Sequence, residues 1–265
     1  MKIIILSDLH FTVEGRPIIG IDPVGRFDQA LEHARHMHPD AAHYVLLGDL
    51  AHLGQNRAYR ALAGRMATLG TPYTSMLGNH DNRANFRAAF PQAPNDGAGF
   101  VQSVLDTQSD RLIFLDTLHE AAEPHHSGHL CPARLAWLQA ALNGAGGRRV
   151  SVFMHHPPLP LGFPGMDRIA LNNPADFWAV AQGRVAHIFL GHIHRTISGH
   201  INGTSFTVFK SPAHQMPMDM RGADSSVSVA EPGAYGIVLF RPDAIVAHTE
   251  DFTLNLYSDH DSASQ

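Results

Sequence analysis

Several groups of aspartate, asparagine and histidine residues each follow a short apolar segment of the chain. The groups are Asp8-x-His10, Gly48-Asp49, Gly78-Asn79-His80-Asp81, His155-His156 and Gly191-His192-x-His194, and the apolar runs before them are IIIL, YVLL, YTSML, VSVFM and HIFL. Because parallel strands bring their carboxyl ends to one edge of a sheet, we expect these groups to meet there. Their residue types are those of a site that binds two metal ions and hydrolyses a phosphoric ester.

The candidate metal ligands have nitrogen and oxygen donors only: Asp8, His10, Asp49, Asn79, His155, His192 and His194. In extended backbone, residues two apart point to the same side, so Asp8 and His10 are predicted to share an ion. The same argument joins His192 to His194. Asp49 has two carboxylate oxygens and is predicted to bridge two ions.

These ligand types restrict the metal and the reaction. Nitrogen and oxygen donors without thiolate favour iron, manganese, zinc or cobalt, whereas an all-oxygen set would favour magnesium or calcium. Two aspartates supply roughly two negative charges against roughly four or more positive charges of two ions, so the site stays cationic. Such a site attracts a phosphodiester anion. The expected reaction is in-line attack on phosphorus by a metal-bound hydroxide.

His80 stands next to a candidate ligand and is not itself needed as one. We predict that it stabilises or protonates the leaving alkoxide. For Asp81, the sequence leaves two interpretations open. Its carboxylate either orients the imidazole of His80 or has a purely structural role.

The blocks D-L-H, G-D-L, G-N-H-D, H-H and G-H-I-H resemble those of the calcineurin-like metallophosphoesterase superfamily. Residues 155–162, the pair Met166-Asp167 and residues 213–217 further resemble the bacterial class III cyclic nucleotide phosphodiesterases and the related glycerophosphodiesterases. The resemblance extends from Met1 to Pro217.

Roles for individual residues follow from this resemblance. It implies two ligand sets: Asp8, His10, Asp49 and His194 for the first ion, and Asp49, Asn79, His155 and His192 for the second. It also implies that His80 is a catalytic histidine that binds no metal. His80, His156 and His214 are candidates for contact with substrate, and His156 is alternatively a support for the ligands.

The composition bounds the class of protein. With 265 residues, 44% of them hydrophobic, the chain can bury the core of one large α/β domain. A net charge of −5 shows no basic excess, so extensive binding to nucleic acid is not expected. The single cysteine, Cys131, cannot form an intramolecular disulfide, which favours the cytoplasm. We expect neither a signal peptide nor a membrane span.

The spacing of apolar residues predicts the elements that position the site. Helices are expected over 27–38, 57–69 and 132–142, and further strands over 99–105 and 111–116. The later segments TSFTVFK, YGIVLF and AIVAHTE are predicted to be antiparallel strands. Together with the resemblance, this predicts an α/β fold: a four-layer α/β/β/α sandwich of two mixed sheets flanked by helices, with a small C-terminal β appendage.

The predicted organisation is one catalytic domain over 1–216. Residues 217–257 would complete the sheet or form a cap or dimer element of the same domain, and residues 258–265 would be a flexible tail. Residues 157–173 and 216–233 are predicted loops, where specificity is usually built. A homo-oligomer, dimeric or larger, is compatible with this organisation.

Two other features have competing interpretations. His125, His126, His129 and Cys131 lack the paired spacing of a zinc site, so we expect a solvated loop there. Arg168 either neutralises a substrate phosphate or is solvated.

The favoured function is hydrolysis of small phosphodiesters, such as 3′,5′-cyclic nucleotides or glycerophosphodiesters. A phosphomonoesterase or nuclease on the same metal core is the first alternative, although a nuclease should show a basic groove. A metal-binding scaffold without catalysis is the second. Such a scaffold would be expected to lack a ligand or His80, and this chain has them all.

Overall fold

The computed structural model describes residues 1–13 and 16–254, so the predicted tail over 258–265 lies outside the described residues. Its strands are β1 (Lys2–Leu6), β2 (His43–Leu47), β3 (Tyr73–Met76), β4 (Ser103–Asp106), β5 (Asp110–Leu115), β6 (Arg149–Met154), β7 (His187–Leu190), β8 (Ile197–Ile201), β9 (Thr204–Val208), β10 (Tyr235–Phe240) and β11 (Ile245–Glu250). Its helices are α1 (Pro23–Met37), α2 (Asn56–Met66), α3 (Arg83–Ala89), α4 (Pro132–Asn143), α5 (Pro164–Asp167) and α6 (Pro174–Ala181).

The strands form two mixed sheets. The first has the order β11-β10-β1-β2-β3, in which β1, β2 and β3 are parallel. The second has the order β4-β5-β6-β7-β9-β8, in which β5, β6, β7 and β9 are parallel. The prediction that β9 would be antiparallel holds only for its pairing with β8, a strand that the sequence analysis missed. β10 and β11 extend the first sheet by antiparallel pairing beside β1.

Alternation along β1 shows how the layers are built. Ile3 and Ile5 belong to the apolar core between the sheets, whereas Ile4 and Leu6 pack with α1, α2 and α3 on the other face. This is the two-residue period of a strand that is buried on both sides. α4 and α6 pack in the same way on the outer face of the second sheet. The predicted four-layer sandwich is confirmed.

Helix boundaries differ from the predicted ones where capping decides them. α1 begins at Pro23, before the predicted start, because the Asp22 side chain accepts a hydrogen bond from the amide of Val24 at 3.0 Å. α2 ends at Met66 rather than at residue 69. The helices therefore lie where the apolar spacing predicted them, with ends that local hydrogen bonds determine.

The two sheets deliver the candidate ligands to one end of the sandwich. Asp8, Asp49 and Asn79 follow β1, β2 and β3 of the first sheet, whereas His155 and His192 follow β6 and β7 of the second. The prediction of one sheet edge was therefore wrong. The carboxyl ends of strands from two packed sheets converge on the site.

His187 is a buried histidine at the start of β7 and is not a candidate metal ligand. Its Nε2 contacts Thr207 Oγ1 at 2.9 Å, and burial lowers its pKa to about 4. The unfolded chain takes up a proton near pH 6.5, which the folded chain resists, so stability is lost as pH falls from 6.5 toward 4. Between pH 7.5 and pH 5, wild type should lose about 2 kcal/mol more unfolding free energy than His187→Gln.

Urea denaturation at both pH values measures this difference. His36→Gln, at an exposed histidine of α1, is the matched control and should behave as wild type. A wild-type loss within about 0.5 kcal/mol of that of His187→Gln would contradict the assignment of the proton uptake to His187.

Candidate metal centre

The loops that carry the candidate ligands turn sharply at the strand ends. Positive φ angles of 57°, 48°, 49°, 72° and 52° are found at Asp8, His10, Asp49, His192 and His194. The prediction of extended backbone at Asp8, His10, His192 and His194 was therefore wrong. Left-handed backbone is uncommon for residues other than glycine, and a cluster of it is typical of functional sites.

Two glycines make room for the ligands that follow them. A Cβ atom on Gly48 would lie 2.4 Å from Nδ1 of His155, and one on Gly78 would lie 2.2 Å from Oδ1 of Asp49. Neither distance is compatible with a side chain. Glycine at these positions therefore lets the backbone of the first sheet approach the histidine from the second.

A first cluster of donors is formed by four buried side chains, with ligand atoms all within 4.8 Å of one another: Asp8, His10, Asp49 and His194. Nε2 of His194 lies 3.3 Å from Oδ1 of Asp8 and 3.1 Å from Nε2 of His10. Nε2 of His10 is 3.7 Å from Oδ2 of Asp49. These atoms enclose a space that suits one small cation.

A second cluster shares Asp49 with the first. Ligand atoms of Asp49, His155 and His192 lie within 4.8 Å of one another. Oδ1 of Asn79 is 3.2 Å from Nε2 of His155 and 2.8 Å from Nδ1 of His192. His192 and His194 therefore belong to different clusters, contrary to the prediction from their spacing.

Backbone carbonyls orient two of the imidazoles. Nδ1 of His155 donates to the carbonyl of Leu47 at 3.0 Å, and Nδ1 of His194 donates to that of His214 at 2.7 Å. Because a carbonyl only accepts, Nδ1 carries the proton and the Nε2 lone pair points at carboxylate oxygens. Lone pairs and carboxylates repel unless a cation lies between them. The donor set therefore fits a metal ion.

The pKa of His155 also shows that this position favours a positive charge. Burial alone would lower this pKa, but the charges of Asp49 and Asp8 outweigh burial and raise it to about 9. Burial would likewise raise the pKa of Asp49, yet His155 and His80 hold it well below its ordinary value. In the absence of metal, a proton on His155 supplies the positive charge that offsets the charges of Asp49 and Asp8.

Comparison with known proteins identifies the family. The calcineurin-like phosphoesterase sequence pattern matches residues 1–196. The chain belongs to the calcineurin-like phosphoesterase family. This confirms the resemblance inferred from the motifs, and the members of this metallophosphoesterase family use divalent metals.

Individual relatives of this calcineurin-like phosphoesterase cover most of its length. A probable cyclic nucleotide phosphodiesterase of Rhodopseudomonas palustris is 42% identical over 269 residues, which span 100% of this chain and 98% of the relative. A glycerophosphodiester phosphodiesterase of Enterobacter lignolyticus is 31% identical over 221 residues, or 80% and 77% of the two chains. The crystal structure of a dimetal phosphatase from Danio rerio has a TM-score of 0.70 at 14% identity, covering 94% and 95%. The last comparison shows the fold.

His80 of the phosphoesterase lines the cavity above both clusters. Its backbone amide donates to Oδ1 of Asp49 at 2.8 Å, and its Nδ1 donates to the carbonyl of His52 at 2.8 Å. Nε2 is therefore the ring atom left to exchange a proton. The ring stacks between His52 and His126, with centroids 5.3 Å and 4.7 Å away.

Asp81 has the structural role of the two that the sequence left open. Its carboxylate accepts hydrogen bonds of 2.8 to 3.1 Å, and the four donors are the amides of Leu50, Ala51 and Gly78 and the hydroxyl of Tyr59. These bonds join the loops after β2 and β3. Burial and the charge of Asp49 raise the pKa of Asp81 to about 6. The imidazole of His80 bonds the carbonyl of His52 instead, which favours the structural interpretation over the orienting one.

The two further predicted substrate contacts have different surroundings. His156 is 0% exposed, with Nδ1 2.7 Å from the hydroxyl of Thr117 and Nε2 3.2 Å from the carbonyl of His126. Both ring nitrogens of His156 contact protein groups, and the residue does not line the cavity. Its prediction as a substrate contact was therefore wrong. His214 does line the cavity, and its ring lies 4.8 Å from that of His194. Burial and the charge of His194 lower the pKa of His214 to about 3.

Two histidines of the site were missed by the sequence analysis. Nδ1 of His52 lies 3.2 Å from Nδ1 of His10. The amide nitrogen of Asn79 donates to Nδ1 of His126 at 3.0 Å, which turns the amide oxygen of Asn79 toward the second cluster. His126 was expected in a solvated loop, whereas the structure stacks its ring on that of His80 and gives it a left-handed φ of 74°. No motif in the chain distinguishes either residue.

The remaining candidates lie outside the site. Nδ1 of His129 contacts Oδ1 of Asn172 at 2.8 Å, and Cys131 precedes α4 as its N-cap. Arg168 donates to the carbonyl of Ala223 and does not line the cavity. Among the described helices, none is both long and apolar enough to cross a bilayer.

Proposed function

We propose that this phosphoesterase is a two-metal phosphodiesterase that hydrolyses small phosphodiesters, namely 3′,5′-cyclic nucleotides, glycerophosphodiesters or both. The observation that carries the proposal is the position of Asp49 in both donor clusters. A carboxylate shared in this way is how protein sites hold two ions roughly 4 Å apart. The names of the two relatives described above support a phosphodiester as substrate.

The ligand sets proposed for the two ions follow the two clusters: Asp8, His10, Asp49 and His194 for the first, and Asp49, Asn79, His155 and His192 for the second. These nitrogen and oxygen donors suit iron, manganese, zinc or cobalt. Two bound ions would supply a nucleophile at neutral pH and offset the charge on the phosphate oxygens.

The chain's own residues supply the remaining steps. His80 would protonate the leaving alkoxide through Nε2, because Nδ1 is held by the carbonyl of His52. His126 would keep the amide oxygen of Asn79 turned toward its ion. His214 lies where a substrate oxygen could contact it.

The shape and charge of the cavity favour a small diester. Its volume is about 350 Å³, and the described residues that line it include neither lysine nor arginine. A singly charged diester needs less compensation than a doubly charged monoester, and a nuclease would need a basic groove. The substrates would be small cytoplasmic molecules, in agreement with a single cysteine.

Hydrolysis of two model esters tests the proposal. Protein stripped of metal and reloaded with manganese is expected to cleave bis(p-nitrophenyl) phosphate faster than p-nitrophenyl phosphate, by at least about tenfold. Metal analysis should find two ions per chain. Assays on 3′,5′-cyclic AMP and on glycerophosphodiesters then rank the natural substrates. Two bound ions without cleavage of these esters, of 3′,5′-cyclic AMP or of glycerophosphodiesters would refute the proposed activity and favour a different, narrow substrate or a scaffold.

A further inference from the structure

Part of the active-site cavity is lined by residues that are not candidate ligands. Five of them are apolar: Ile18, Ile19, Met166, Ile169 and Met216. Three serines, at positions 225, 226 and 228, also line it. This part of the lining is therefore apolar with added hydroxyl groups.

Ile19 lies in a strained turn. Ile18 and Ile21 exchange two backbone hydrogen bonds of 2.9 Å, and Ile19 and Gly20 form the two-residue turn between them. The φ angles of Ile19 and Gly20 are 46° and 83°, as in a type I′ turn. Glycine adopts this backbone freely, but a β-branched residue is a clear outlier there.

Neither turn preference nor core burial explains an isoleucine at position 19. Asparagine, aspartate or glycine would suit the backbone better, and the side chain is 48% exposed. Strain that the fold does not require is commonly retained at ligand sites. The exposed side chain of Ile19 borders the same cavity as the candidate metal ligands.

The segment that contains Met216 is held firmly. Arg195 donates to the carbonyl of Met216 at 2.9 Å and forms an ion pair with Glu231. The backbone of Gln215 pairs with that of Val229 at 3.1 and 2.8 Å, which closes the base of the loop that contains Met216. Arg195 directly follows the candidate ligand His194. Its hydrogen bond therefore ties the segment that contains Met216 to the metal centre.

We infer that Ile19 and the two methionines, Met166 and Met216, form an apolar slot that binds an uncharged ring in the organic group of the substrate. Ile19 is then a residue that determines specificity. The inference rests on the proposed phosphodiesterase function, because a phosphate at the candidate ligands is what brings the ring to the slot.

The lining selects the chemistry of that ring. Among the described lining residues there is no lysine, arginine or glutamate, and the only carboxylate is the candidate ligand Asp49. Neither a second anionic group nor an ammonium headgroup therefore finds a partner. A flat ring can contact Ile19 and the thioethers, while its polar edge bonds serine hydroxyls. A nucleoside diester fits, whereas a choline or ethanolamine diester does not.

Two diesters with one leaving group test the slot. Thymidine 5′-(p-nitrophenyl) phosphate and methyl p-nitrophenyl phosphate both release p-nitrophenolate, so the ratio of their kcat/KM values reports on the nucleoside. Ile19→Asn is expected to lower this ratio about tenfold through KM. Ile19→Val keeps an apolar surface and should keep the wild-type ratio. The melting temperature of Ile19→Asn should not fall, because asparagine tolerates the left-handed turn.

Binding provides a readout without turnover. Calorimetry on the manganese-loaded proteins should show that Ile19→Asn weakens adenosine 5′-monophosphate about tenfold and leaves inorganic phosphate unchanged. If Ile19→Asn does not fold, Ile19→Gly relieves the same strain and removes the same side chain, and the test proceeds with it.

Each outcome has one meaning. Equal kcat/KM ratios in wild type and Ile19→Asn, with diester hydrolysis intact, would overturn the slot and leave the proposed function standing. Equal weakening of the nucleotide and of inorganic phosphate would overturn it as well. If wild type loaded with metal cleaves neither diester, the proposed function and the slot fail together.

Discussion

Replacing Asp49 by asparagine is expected to remove one of the two ions and to lower diester hydrolysis by about a thousandfold or more. Asp49 contributes to both donor clusters, with Oδ2 3.3 Å from Nε2 of His155 and 3.7 Å from Nε2 of His10. Asparagine keeps the shape but has one oxygen and no charge. Without that charge, two cations at close distance repel each other and only one can remain.

Elemental analysis of the reloaded protein measures this effect directly. Asp110→Asn is the matched control, since Asp110 is also a buried aspartate, 3% exposed, but pairs with Arg149 and belongs to neither cluster. It should lose stability without losing metal. Circular dichroism establishes that both variants fold. Two ions per chain in Asp49→Asn, at wild-type affinity, would refute Asp49 as the shared ligand.

Replacing His80 by alanine is expected to slow hydrolysis by roughly 10² to 10⁴-fold while both ions stay bound. The contact that His80 makes with Oδ1 of Asp49 comes from its backbone amide, which alanine retains. The lost group is the imidazole, whose Nε2 is free to pass a proton to the leaving oxygen. The loss should therefore grow as the leaving group becomes a poorer one.

A series of diesters with leaving groups of increasing pKa provides the measurement. His36→Ala, at an exposed histidine of α1, controls for the loss of an imidazole elsewhere. The slope of log kcat/KM against leaving-group pKa should be steeper in His80→Ala than in wild type. The same slope in both, with uniform slowing, would show that His80 acts on something other than the leaving group.

Local sequence rules were sufficient for the elements that carry the site. The apolar runs before Asp8, Asp49, Asn79, His155 and His192 are all strands. They could be predicted because an alternating or continuous apolar pattern over a few residues reflects the burial of a strand. The apolar spacing that predicted the helices is equally local. The pairing of distant strands is not a local property, since that of β10 with β1 joins segments more than two hundred residues apart.

Neighbourhood in sequence was a poor guide to contact around His80. Asp81 is its next residue, yet the carboxylate of Asp81 bonds Tyr59 of α2, two amides in the loop after β2 and one amide in its own loop. The group that does hold the His80 imidazole is the carbonyl of His52, which side-chain identity cannot reveal. Likewise His126, which contacts Asn79 from 47 positions away, has no recognisable motif.

The sequence by itself determined which residues are available for metal chemistry and that they follow strands, since both depend on residue type and short-range pattern. The division of the ligands into two sets was implied by the family resemblance and not by their spacing, and only the tertiary structure decided which nitrogen of each imidazole faces the clusters. Five of the ligands leave extended backbone for left-handed turns. The physical reason is that strands of two separate sheets converge here, and the apolar packing of the sheets sets where their ends meet.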